Sequence, residues 1–138
     1  MPRGLLALLI ACLPTSAASA PPACAAPRGF ETSGRIESSD VVVLFRTVPA
    51  AIEVGRHFSV EVIVCAGPPA AVATDLRIDA QMPEHRHGMN YRPRVVRGGE
   101  GVYVAEGFLF HMPGRWQLLF DVERGGRTDR LSTDIVLE

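Results

Sequence analysis

The sequence predicts an antiparallel β-sandwich of about seven strands, on three observations. Short runs rich in Val, Ile, Leu and Phe alternate apolar and polar residues with a period of two. Turn residues, chiefly Gly and Pro, separate them about every ten positions. No stretch after the N-terminal region carries a convincing helical period.

The strands follow in order. Val41–Arg46 is the first. In His57–Val64, Phe58, Val60, Val62 and Val64 face one way and Ser59 and Glu61 the other. Leu76, Ile78, Ala80 and Met82 alternate with Arg77, Asp79 and Gln81. Arg94–Arg97 and Val102–Phe110 come next. Trp116, Leu118, Phe120 and Val122 alternate with Gln117 and Asp121, and the last strand carries Leu131, Thr133, Ile135 and Leu137. One apolar face per strand is what two packed sheets require. Pro113-Gly114 is expected to be an arch between the sheets, because a tight hairpin there would turn Phe110 and Met112 outward.

The chain before residue 40 reads differently. Arg3, an apolar run from Gly4 to Leu13 and the small-residue stretch TSAASA have the order of a secretory signal, too short to span a membrane. Residues 1–20 are therefore expected to be a signal peptide. A cut after Ala18 avoids the hindrance of Pro21, and LIAC at 9–12 offers an alternative, lipid attachment at Cys12. Residues 21–39, rich in Ala, Pro, Ser and Gly, read as a flexible leader, and 40–138 as the domain. The expected location is the periplasm or cell envelope. In that oxidising setting Cys24 and Cys65 can pair, unless a cut after Ala25 leaves Cys65 alone.

All 14 basic residues are arginine; losing Arg3 with the signal leaves 13 against 15 carboxylates, a balance of −2. Such a balance gives no reason to expect nucleic acid or an anionic membrane surface as partner. Enzymatic activity is not expected either. No serine or cysteine sits in a nucleophile elbow, and the Gly-Gly pairs at 98–99 and 125–126 precede no helix that could cradle phosphate.

The chemistry concentrates in MPEHRHGMN, residues 82–90, and in His111-Met112. His85, His87, Met89, His111, Met112 and Met82 offer imidazole and thioether donors at strand ends. That mixture favours copper, Cu(I) above Cu(II), over Mg²⁺ or Ca²⁺, and zinc has no use for the methionines. Met82 extends the inward phase of Leu76-Ile78-Ala80 and Met112 that of Phe108-Phe110, so each also reads as core filler. His85, His87 and Met89 have no place in the alternation and form the inner set, with His111 as a further donor or a turn-bonding residue. His57 opens a strand far from the loop and reads as structural. Arg86, Arg92, Arg94 and Arg97 surround the loop and oppose a doubly charged ion more than a singly charged one, with Glu84 near enough to moderate them.

MPEHRHGMNYRPRV followed by GVYVAEGFLFHMPGRWQLLFDV resembles the YtkA-like family of small exported domains, more distantly similar to FixH and CopC-type periplasmic proteins. The resemblance covers about residues 40–138. It implies an immunoglobulin-like sandwich, and a role in copper handling or in assembling respiratory or haem enzymes. The expected partner is a periplasmic or membrane-bound metalloprotein, met through the membrane only if Cys12 is lipidated. Two other readings stand beside copper delivery or storage. One is a metal-free module that docks on such a partner through Tyr91, the arginines and the histidines; the other is a small-anion site on the same arginines.

Overall fold

The computed structural model describes residues 20–68 and 72–138. The expected signal peptide, with Cys12, lies outside them apart from Ala20. The described chain is an all-β, immunoglobulin-like sandwich of two antiparallel sheets. Its strands are β1 (Gly34–Glu37), β2 (Val41–Val48), β3 (His57–Ala66), β4 (Asp75–Met82), β5 (His87–Gly88), β6 (Arg94–Gly99), β7 (Val102–Leu109), β8 (Gly114–Arg124) and β9 (Arg127–Leu137). One sheet has the order β1-β2-β3-β7-β6 and the other β5-β4-β8-β9.

Seven of these strands are the expected ones; β1 and β5 are additions. β1 lies inside the stretch expected to be leader and pairs with β2, Ile36 opposite Val43. The rest of that stretch is tied down as well. Cys24 and Cys65 form a disulfide with Cα atoms 5.6 Å apart. Between the disulfide and β1, Ala26 and Phe30 cover Val42, Leu44 and Ile63 on the outer face of the sheet. The Arg46 guanidinium lies 4.8 Å from the Phe30 ring centre and donates to the Gly29 carbonyl. The leader is thus a strap, built on a second small apolar cluster that composition alone conceals.

Alternation puts the main core between the sheets. Phe45, Phe58, Val60 and Val62 from one sheet meet Leu76, Ile78, Ala80, Leu118 and Phe120 from the other. The chain crosses between sheets from β7 to β8, so the expected arch at Pro113-Gly114 is what forms. Phe108, Phe110 and Trp116 are all fully buried, as the arch requires. Gly114 has φ +119°, and a Cβ there would stand 2.8 Å from Met82 Cε. Backbone conformation and space both call for glycine at the corner.

The sandwich has two distinct ends. β3 begins, β7 ends, β4 ends and β8 begins at one of them, which carries the histidine loop. The disulfide, Asp40 and the β8–β9 turn lie at the other, about 30 Å away along the ten residues of β3. There Arg124, 1% exposed, donates to Asp129 at 2.6 Å and to Asp40 at 3.1 Å. Arg127 reaches the same two carboxylates at 3.0 and 2.9 Å. A buried guanidinium survives desolvation only with such partners.

Candidate metal centre

The histidine loop is a hairpin. β4 turns through Pro83–Arg86 into β5, closed by hydrogen bonds from His85 N to Met82 O (3.1 Å) and Arg86 N to Pro83 O (3.3 Å). Arg86 ends the turn at φ +56°, the left-handed region that a non-glycine residue occupies at a cost. This conformation returns the chain to register, with His87 opposite Met82 and Gly88 opposite Gln81. Gly88 also allows close pairing, since a Cβ there would lie 3.2 Å from Ala80 O.

Register decides where the donors point. Residues directly opposite in an antiparallel pair share a face. Met82 faces the core and is fully buried, so His87 faces the same side and is half-buried above it. Met89 N donates to Ala80 O, and Met89 packs against the core. The view that His87 and Met89 stand outside the alternation is therefore corrected: His87-Gly88-Met89 resumes it, in a strand too short to read. His85, at the turn, is exposed.

The arch supplies the facing wall. His111 is exposed and Met112 is half-buried against the core. Trp116 forms the floor: it stacks on Phe110 with ring centres 4.4 Å apart, and its Nε1–H donates to Met112 O at 3.0 Å. His87 and His111 both meet the indole edge-to-face, at 5.9 and 5.3 Å. The sequence places Trp116 in the core, in phase with Leu118 and Phe120, and that phase carries no hint of the imidazoles above it.

The three rings form a row, His85 to His87 at 5.7 Å and His87 to His111 at 5.1 Å between centres. An ion bound at about 2 Å from a ring nitrogen lies about 3 Å from that ring's centre, so two imidazoles on one ion have centres about 5–6 Å apart. Both neighbouring pairs meet that spacing. His87 Nδ1 lies 3.0 Å from the Gly88 carbonyl. A carbonyl only accepts, so for the neutral ring this contact selects the tautomer with the proton on Nδ1, which leaves Nε2 the lone pair a metal needs.

The donor set is open, however. Among the described residues, no three His, Cys, Asp or Glu side chains gather around one point. The row offers two imidazole pairs that share His87, and no closed cage. Of the sulfurs, Met89 and Met112 lie at the edge of the core, whereas Met82 is sealed inside it. His57 is brought to the same end of the sandwich but faces Tyr91, at 6.3 Å between ring centres.

The charges are arranged less evenly than the sequence suggests. Glu84 is taken by Arg115, at 3.1 Å, which also holds Asp134 at 3.1 Å. Glu84 is thus spent on pinning the turn to β8. Arg86, Arg92 and Arg94 have no ion-pair partner among the described residues. Arg97 is carried along β6, where it lies 5.9 Å from the Tyr103 ring centre.

No family model, curated protein or solved structure matches the chain. The YtkA-like resemblance therefore rests on its sequence motifs alone.

Proposed function

We propose that this chain is an exported, YtkA-like copper-binding protein of the periplasm or cell envelope. It holds Cu(I) at the histidine end of the sandwich for delivery or storage, in the service of a metalloenzyme being assembled. The observation that carries the reading is the row His85–His87–His111, with its ring spacings of 5.7 and 5.1 Å. His87 and His111 are the principal ligands, because both rest on Trp116 and are oriented by it. His85 competes for the same ion from the turn, and Met89 or Met112 adds a thioether. Met82 is left to the core. Two imidazoles and a soft sulfur suit Cu(I), which accepts low coordination numbers, and the uncompensated arginines disfavour a doubly charged ion. An exposed, open site suits an ion that must be handed on.

The test uses the chain's single tryptophan. Cu(I) is titrated into the purified protein under reducing, oxygen-free conditions, against a chromophoric chelator of micromolar affinity. Trp116 fluorescence should change and saturate at about one ion per chain, in step with loss of the chelate colour. Failure to compete with the chelator sinks the reading.

The unpaired Arg86, Arg92 and Arg94, with Tyr91 56% exposed, favour a second reading: a metal-free module that docks on a periplasmic or membrane-bound partner. Partner binding that survives chelator and the loss of both His85 and His87, but fails when Arg92 and Arg94 are altered, selects it.

A further inference from the structure

Three imidazoles in a row make two neighbouring pairs, and the pairs stand on different footings. His85 and His87 belong to one element, the β4–β5 hairpin, whose turn is closed by the bond from His85 N to Met82 O. His87 and His111 belong to two, the hairpin and the arch between β7 and β8. Among the described residues, the ring contacts of Trp116 are with Phe110, His87 and His111, and they do not extend to His85. Ring centres stand 5.7 Å apart in the hairpin pair and 5.1 Å apart in the bridging pair. Each spacing suits one shared ion.

His87 is common to both pairs and has one lone pair to give. In the neutral ring its Nδ1 proton is engaged by Gly88 O at 3.0 Å, which leaves Nε2 as its donor atom. One nitrogen lone pair binds one ion, so occupation of either pair excludes the other. No third His, Cys, Asp or Glu closes around either pair among the described residues. Each pair therefore leaves an ion open to a further ligand, and the nearest waiting imidazole is tethered to the same chain. A tethered ligand acts at a high effective concentration, so exchange of His85 for His111 outruns release of the ion to solvent.

We infer that His87 is the pivot of a two-position path for Cu(I). His85 and His87 take the ion from its donor; His111 then displaces His85, and the pair backed by Trp116 holds the ion. Delivery runs the same steps in reverse and presents the ion to an acceptor on the hairpin. Each step forms one Cu–N bond and breaks one, His87 stays bound throughout, and copper remains Cu(I). This path presupposes the copper reading and gives His85 a part in transfer more than in retention.

The experiment mixes the disulfide-intact protein with Cu(I) carried by the chromophoric chelator, under reducing, oxygen-free conditions, and follows both signals by stopped flow. Chelate colour reports binding to either pair, and Trp116 fluorescence reports the bridging pair alone. His85→Ala should slow loading, and release to excess chelator, by about tenfold each, with a much smaller loss of affinity. His111→Ala should still take up copper, more weakly than the native protein but more tightly than His87→Ala, and without the fluorescence change. His87→Ala should lose most of both signals. Urea midpoints near the native one show that the variants are folded. Native protein that cannot draw Cu(I) from the chelator overturns the copper reading, and the path with it. Where native binding holds, two ions per chain, native rates in His85→Ala, or a His111→Ala variant no better than His87→Ala each overturn the path alone.

Discussion

Met82 and His87 face each other across the β4–β5 hairpin, yet one is sealed in the core and the other reaches the row of imidazoles at the end of the sandwich. The pair divides structure from chemistry within a single cross-strand contact. Met82→Leu should therefore cost less than about 1.5 kcal/mol, as a volume-conserving core change, and leave Cu(I) affinity unchanged. His87→Ala should lower that affinity at least about tenfold, since one lost ligand typically costs that much or more, with little change in the midpoint of urea unfolding. Chelator competition and urea titration on the two variants check both halves. A copper defect in Met82→Leu would return that sulfur to the ligand set.

The contrast also explains what the sequence could reveal. Long strands with four or more alternating pairs were readable, and so was the arch, because three large side chains had to be hidden together. β1 carries one apolar residue, Ile36, and β5 has two residues, too few for a period to emerge. Missing β5 is what placed His87 and Met89 outside the alternation. Arg124 did leave a trace: it continues the inward phase of Trp116, Leu118, Phe120 and Val122. Its partner Asp40, 84 positions away, could not be read locally. The meeting of His87 with His111 is likewise a product of register and arch, and spacing along the chain cannot encode it.

Arg86 stands at φ +56°, where glycine would rest without a Cβ conflict. Glycine's greater freedom in the unfolded chain offsets part of that relief. Arg86→Gly should accordingly change stability by between about 0 and +1 kcal/mol. It also removes an unpaired positive charge next to His85 and His87. Copper affinity should rise, more for Cu(II) than for Cu(I), and the gain should shrink as salt is added. Thermal unfolding and parallel titrations of both oxidation states measure these effects. A fall in affinity would mean that Arg86 orients the loop.

At the opposite end, hydrogen bonds from Arg124 and then Arg127 hold the Asp40 carboxyl below its ordinary pKa. Arg130 does the same for Asp121 on β8. A carboxylate whose pKa is depressed by folding contributes stability that is fully present above its unfolded value of about 3.9 and is lost as pH falls through the folded value. The urea midpoint should therefore hold from neutral pH to about pH 4 and drop below it. Asp40→Asn should be less stable at neutral pH and show a shallower acid limb, so that the two curves converge at low pH. Arg124→Ala should cost less than the ~3–5 kcal/mol of a buried pair broken outright, because Arg127 still reaches both partly exposed carboxylates. Parallel acid limbs for the Asn variant and the native protein would remove Asp40 from this role.

The strap gives the remaining prediction. The Cys24–Cys65 disulfide closes a loop with a sequence separation of 41 and fastens Ala26 and Phe30 over Val42, Leu44 and Ile63. Replacing both cysteines by serine should lower stability by about 2–4 kcal/mol, through the released entropy of the unfolded chain. It should also speed proteolysis within residues 20–33, since the remaining anchors there are few and exposed. The histidine row lies about 30 Å from the disulfide, at the other end of β3. Copper affinity of the folded variant should therefore match that of the native protein, as distant sites without shared partners behave independently. Loss of copper binding together with the disulfide would show that the strap reaches the metal site through the sheet, and would overturn the separation of the two ends.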